Sequence, residues 1–150
     1  MILIKNGNVH DGRGGLSVCD VLLDGCKIAQ VAKNLTIPQA QIIDATNLEV
    51  FPGFIDALNV WGVLGPGWSG DDKSEESDPV TPEMNVAYAF DHDGMNFQRV
   101  YTYGVTAAGI APTPRNVISG QAGVYKTYGR SPYAMLVRER TAMISSVKRG

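Results

Sequence analysis

The sequence predicts an α/β protein with a β-rich N-terminal unit, and three observations predict it. The first fifty residues fall into short apolar or alternating segments separated by turn residues. The composition then changes at Gly62, where a stretch rich in glycine, proline and acid begins. Beyond that stretch, helical and extended segments alternate, the order expected when strands of a parallel sheet are joined by crossover helices.

The elements follow from local pattern. "ILIKNG" and "NVHD" read as strands, "GRGG" breaks the chain, and "DVLLDGCKIAQV" reads as a hairpin turning at Asp24-Gly25, a pair favoured in two-residue turns. "QIIDA" and "LEVFPGFIDALNV" supply two more strands. The segment "GVLGPGWSGDDKSEESDPVTPE" holds four glycines, three prolines and six acids without a hydrophobic period, so it is a long loop. From about Pro82 the pattern is helical, with Met84, Ala87, Tyr88 and Asp91 on one side, and Asn96 to Tyr103 is a second helical piece. Gly104 to Pro112, "GVTAAGIAP", is a strand bounded by glycine and proline. "TPRNVISGQAGVYKTYG" is a glycine-rich loop region with room for short strands. The end of the chain reads as a helix: Ser131 caps it, Pro132 suits its first turn, and Met135, Leu136, Met143 and Ile144 form its apolar stripe. Lys148, Arg149 and Gly150 are its end signals.

Composition narrows the function. With 44% hydrophobic and 19% charged residues the chain is globular. A formal net charge of -2 and the absence of a long basic run predict neither a nucleic-acid nor a membrane partner. The N-terminal apolar stretch is too short for a signal region and no segment approaches the roughly 20 apolar residues of a membrane span, so a cytoplasmic location is expected. The sequon at Asn34 is then a chance match, and Cys19 and Cys26 are expected as reduced thiols.

Taken together, "ILIKNGNVHDG", "DVLLDGCKIAQVAKNL", "QIIDATNLEVFPGFIDA" and "YGVTAAGIAP" resemble the N-terminal part of a metal-dependent amidohydrolase. "SDPVTPEMNVAYAFD" and "NVISGQAGVYKTYG" resemble more narrowly its imidazolonepropionase-like branch. The resemblance runs in order over essentially the whole chain. It implies that residues 1–50 are half of a β-sandwich, which family members complete with strands from their C-terminus. Residues 51–150 would be the first βα units of a TIM-like barrel, left incomplete because two units cannot close a barrel of eight. Members of the family are more than twice as long, so the chain looks like an N-terminal portion.

The family's first barrel strand ends P-G-x-I-D-x-H-x-H, and its two histidines bind a divalent metal. Pro52, Gly53, Ile55 and Asp56 match that motif, while the histidine positions fall on Leu58 and Val60. Residues two apart on a strand point the same way, so the motif would aim two imidazoles together. Zinc takes N, O or S donors, and the side chains of leucine and valine have none. Asn59, between them and facing the other way, cannot replace both. The family's other ligands, a bridging Lys or Glu, further histidines and a catalytic Asp, come from later strands. The family would use one or two divalent metals, such as zinc; no cofactor is expected for this chain.

Other signals are weaker. His10 sits beside a turn, where a structural role is expected, and His92 lies among acids at an expected helix end. Asp71, Asp72, Glu75, Glu76 and Asp78 read either as a cation-binding lid or as a solvated loop, the latter preferred. Asp78 or Thr81 could cap the following helix, and in the resembling branch this stretch lies over the active-site mouth. "GQAGVYKT" is not a phosphate loop, because no glycine precedes Lys126. In the resembling branch this loop borders the active site, which singles out Gln121, Lys126 and Thr127. Ser69 and Ser119 have no adjacent histidine to activate them. Trp61 and Trp68 read either as stacking groups or as loop packing.

The candidate substrate-binding residues are therefore Trp61, Thr81, Gln121 and Lys126. The expected function is that of an amidohydrolase-family protein, acting by resemblance on non-peptide carbon-nitrogen bonds, with this chain not competent alone. The alternative is a non-catalytic scaffold, small-molecule binding or assembly subunit. In either case a homo-oligomer or a complementing chain is expected to cover the open barrel edge.

Overall fold

The structure, a computed structural model, describes residues 1–65, 73–75 and 77–147. The chain divides into two compact units, Met1–Pro52 and Gly53–Gly150.

The first unit is a five-stranded mixed sheet. Strands β1 (Ile2–His10), β2 (Leu16–Asp24) and β3 (Lys27–Ala32) form an antiparallel meander, and β4 (Gln41–Asp44) and β5 (Glu49–Val50) pair in parallel with successive parts of β1. The two short strands expected before "GRGG" are one long strand with a break in register between Ile4 and Gly7. Asn6 sits at the break with φ 60°. The buried Asp20 carboxylate holds this irregularity, accepting the Asn6 N–H at 2.8 Å through Oδ1 and the Leu35 N–H at 2.8 Å through Oδ2. The hairpin turn lies one residue later than expected, with Asp24 opposite Lys27. Gly25, at φ 58°, takes the first loop position because that position needs a positive φ. Cys19 is buried, Cys26 is exposed, and both are free thiols.

The short β5 is clamped by side chains. Glu49 lies opposite Asn8 and accepts its amide at 2.8 Å, while His10 Nε2 meets the other Glu49 oxygen at 2.6 Å. The His10 ring stacks on Phe51 with centroids 4.0 Å apart. These contacts give His10 a structural place in the sheet.

The second unit is a four-stranded sheet in the order β6 (Phe54–Asn59), β7 (Val105–Ile110), β8 (Ile118–Lys126), β9 (Leu136–Ser145). The β6 and β7 pair is parallel, and the other two pairs are antiparallel. Turns of 3-10 helix at Trp61–Val63, Val86–Tyr88 and Val100–Tyr103 cover one face. Their Val63, Val86 and Val100, with Phe90 and Phe97, pack on Ala108, Ile110 and Tyr125. Phe90 stacks on Tyr125 at 4.0 Å and meets Phe97 edge-on at 5.2 Å. The Tyr125 hydroxyl is buried and has no hydrogen-bond partner among the described residues, and burial, aided by the nearby Glu139, pushes its pKa up to about 12.

Three expected helices are replaced. The helix from about Pro82 contracts to one turn because Thr81 and Met84 spend their backbone groups on β8, as described below. The piece from Asn96 to Tyr103 contracts to Val100–Tyr103, a run of β-branched and aromatic residues that Gly104 ends at φ 83°. The C-terminal helix is only the single turn α1 (Pro132–Met135), capped by Ser131 as expected, after which β9 runs antiparallel along β8. The hydrogen-bonding edge of β8 outweighs the helical period of Met135, Leu136, Met143 and Ile144. The glycine-rich region before it is mostly the nine-residue strand β8. Lys148, Arg149 and Gly150 lie outside the described residues.

Two predictions follow from the first unit. Asp20→Ala removes the buried carboxylate that accepts the Asn6 and Leu35 N–H groups and is expected to cost about 2 kcal/mol in urea unfolding, far more than a substitution at exposed Asp24. The Glu49 carboxyl is held below its ordinary 4.5 by the hydrogen bonds from His10 and Asn8. A depressed folded pKa contributes stability above the unfolded pKa and loses it as pH falls through the folded one. Unfolding midpoints measured between pH 6 and pH 3 should therefore fall less steeply in Glu49→Gln than in the parent.

Candidate functional site

At the carboxyl end of β6 the ladder slips. Asp56 pairs with Ala108 and Asn59 with Ile110, so three residues of β6 span two of β7. The bulge needs Gly109, because a Cβ there would collide with the Ala57 carbonyl oxygen. It also brings Asp56 and Asn59 together. The Asn59 amide donates to Asp56 Oδ2 at 2.9 Å, and Asn59 Oδ1 accepts the Trp61 N–H at 3.0 Å. Leu58 is 55% exposed, and Val60 packs against the core cluster. The pair offers hydrocarbon where the resemblance puts metal ligands, and the intervening carboxamide is already hydrogen-bonded. The residues present do not fit the family's metal at this strand end.

β7 covers only the last part of β8, from Gly123 to Lys126. The vacated edge is taken by the strap of residues 79–85. Ile118 donates its N–H to Pro79 O at 3.2 Å, its carbonyl accepts the Thr81 N–H at 3.0 Å, and the Gln121 N–H reaches Met84 O at 2.7 Å. Gly120, at φ 119°, changes the phase of β8 between these contacts, and a Cβ there would lie 2.6 Å from Met84 O. Thr81 adds a hydroxyl bond to Ile118 O at 3.2 Å, and the Gln121 amide donates to Pro82 O at 2.7 Å. The 3-10 turn that follows is capped by Asn85, whose Oδ1 accepts the Ala87 N–H at 3.0 Å. Asp78, one of the two expected caps, instead accepts the Val80 N–H. Asn116 pins the preceding loop by donating to Glu75 O and Asp78 O.

This strap walls a cavity of about 470 Å³ lined by Glu83, Met84, Asn85, Tyr88, Pro112 and Ser119, with Lys73 and Glu75 from the acidic segment. Pro112 follows β7 and Ser119 begins β8, so the cavity lies at the carboxyl end of the parallel β6 and β7 pair. That end is where open and closed α/β sheets place their ligands. Asn85 and Glu83 are cavity residues that pattern reasoning passed over, and Ser119 was read only for a nucleophilic role. The position of Asn85 before the apolar run "VAY" was the available signal.

Of the four candidates, the fold brings Thr81 and Gln121 together on the strap and its partner strand. Lys126 lies opposite Ala107 at the far end of β8, roughly 17 Å from Gln121 at about 3.4 Å per residue. Thr127 is buried and its hydroxyl donates to Val105 O at 2.6 Å, a structural use. Trp61 lines a different cavity. Among the described residues His92 meets Asp93, at 3.5 Å. Trp68, Ser69, Asp71, Asp72 and Glu76 lie outside the described residues. Among the described residues no three His, Cys, Asp or Glu side chains converge, and no helix is long and apolar enough to cross a membrane.

No family model matches the sequence. Over 57 residues, 37% of this chain, it is 51% identical to the dihydroorotases of Streptococcus thermophilus and of Streptococcus pneumoniae. Among solved structures, the amidohydrolase from Thermotoga maritima MSB8 superposes with a TM-score of 0.86 at 31% identity over 95% of this chain. The chain covers 14% of those dihydroorotases and 38% of that amidohydrolase, well under half of either.

Gln121→Ala removes the side-chain bond to Pro82 and leaves the backbone bonds intact, so it should loosen the strap without unfolding the sheet. Hydrogen exchange at the Thr81 and Met84 amides is expected to accelerate by about tenfold, with little change at Ala108.

Proposed function

The chain is related to the amidohydrolase superfamily, and from that premise we propose that it supplies the N-terminal portion of an amidohydrolase fold: a half β-sandwich in residues 1–50 and the opening strands of a TIM-like barrel in residues 51–150. The reaction that the resemblance implies for such a fold is hydrolysis of a non-peptide carbon-nitrogen bond, and the streptococcal relatives are named dihydroorotase. This chain by itself does not carry that reaction out. The observation that carries the reading is the end of β6, where the frame Pro52 to Asp56 is kept and Leu58 and Val60 have no donor for a metal. No step through a metal is assigned to this strand.

The wall formed by the strap, with Thr81 and Gln121 holding it to β8, is the part of a substrate site this chain contributes. A second reading, a non-catalytic scaffold or assembly subunit, is favoured by exposed apolar side chains on both units: Ile55 at 72% and Leu58 at 55% on β6, Ile42 at 61% and Val31 at 51% in the first sheet. Either reading calls for a complementing chain or a second copy over these surfaces, in a cytoplasmic setting.

The test is metal content together with activity. After incubation with zinc and dialysis, the purified chain is expected to retain less than about a tenth of an equivalent of metal by mass spectrometry and to leave dihydroorotate unhydrolysed. Stoichiometric zinc with hydrolysis would overturn the proposal. Light scattering then separates the two ways of covering the apolar surfaces: a homo-oligomer or a monomer that needs a partner.

A further inference from the structure

Trp61 is not used by the strap cavity. It lines a second cavity of about 410 Å³ in the same unit, which among the described residues shares no lining residue with the first. A volume of this size suits a small organic ligand. Val100, 5% exposed, and the half-buried Val105 give it an apolar lining. Trp61 and Tyr103 add two aromatic rings, 39% and 80% exposed. The polar side chains lining it include the exposed Asn96 and Arg99. Among the described residues no carboxylate lines this cavity, whereas Glu75 and Glu83 line the other. Among the described residues the Arg99 guanidinium has no ion pair or hydrogen bond, so its donors are available to a ligand.

From this we infer that the cavity beside Trp61 binds a planar aromatic carboxylate, with the ring against Trp61 and Tyr103 and the carboxylate on Arg99. Three physical terms act together. Aromatic surface favours a flat apolar body. A guanidinium matches a carboxylate in a two-pronged hydrogen bond. With no lining acid among the described residues, that cation selects an anion over its neutral analogue. The backbone of Trp61 is held in advance, because its N–H is bonded to Asn59 Oδ1 at 3.0 Å. The inference is independent of the reading above, since binding here neither requires nor reports carbon-nitrogen hydrolysis.

The experiment is calorimetric titration of the full chain with 2-naphthoate and with neutral 2-naphthamide. Naphthoate should bind with a Kd of about a millimolar or tighter, and the amide about tenfold more weakly. Arg99→Gln should bring naphthoate down to the level of the amide, and Trp61→Ala should weaken both ligands. Arg13→Gln, on an exposed loop of the other unit, should change neither. Arg99 and Trp61 are both exposed, and a thermal melt verifies that each variant is folded. The inference is overturned by an absence of naphthoate binding, by equal binding of acid and amide, by Arg99→Gln binding like the parent, or by an equal loss in Arg13→Gln.

Discussion

The second unit is organised by the hydrogen-bonding demand of β8. Nine residues of extended backbone present donors and acceptors on two edges, and leaving such groups unpaired in a packed interior costs roughly what a lost hydrogen bond costs. β9 takes one edge. β7 takes only the last four residues of the other, from Gly123 to Lys126. The remainder must pair with something, and the strap does so through Pro79, Thr81 and Met84. The extended shape of residues 79–85, the single-turn length of the 3-10 segment after it and the cavity behind it all follow from that requirement. Gly120, at φ 119°, is where β8 changes phase between its contacts with the strap.

The end of β6 shows a frame and its chemistry separating. Pro52 to Asp56 keep the form of a barrel-opening strand, and Gly109 permits the bulge by which β6 continues beside β7. The polar atoms at the strand end are turned inward on the protein: Asp56 and Asn59 hold each other, and Asn59 also holds the turn at Trp61. Leu58 and Val60 complete an apolar strand end. Such a strand serves shape, and the kinship with amidohydrolases is carried by the fold across nearly the whole chain.

Much of the first unit was legible in the sequence because its elements are set by neighbours in the chain. The Asp24-Gly25 pair announces the hairpin, and the error of one residue in its turn arises because two adjacent registers differ only in which residue takes the positive φ. The short runs "QIIDA" and "GVTAAGIAP", the second bounded by glycine and proline, were legible for the same local reason. The helices were misread where local preference competes with distant pairing. Met135, Leu136, Met143 and Ile144 satisfy a helical period, yet Val137, Thr141 and Ile144 also suit a strand, and an open edge of β8 decides between them. Among the site candidates, Thr81 and Gln121 converge because a parallel bridge joins segments about forty residues apart in the chain. Lys126 shares a sequence motif with Gln121 and stands at the other end of the strand, since five extended residues separate what five helical residues would keep close.

The sequence by itself determined the kinship, the β-rich opening unit and the hydrocarbon at the two ligand positions, because each is written in the identity or order of adjacent residues. The tertiary structure alone decided that residues 136–145 are a strand, that the strap belongs to β8 and that Trp61 lines a cavity away from the strap that Gln121 holds. Those outcomes depend on which backbone edge is left open after the other strands have paired, a quantity that no local stretch of residues contains.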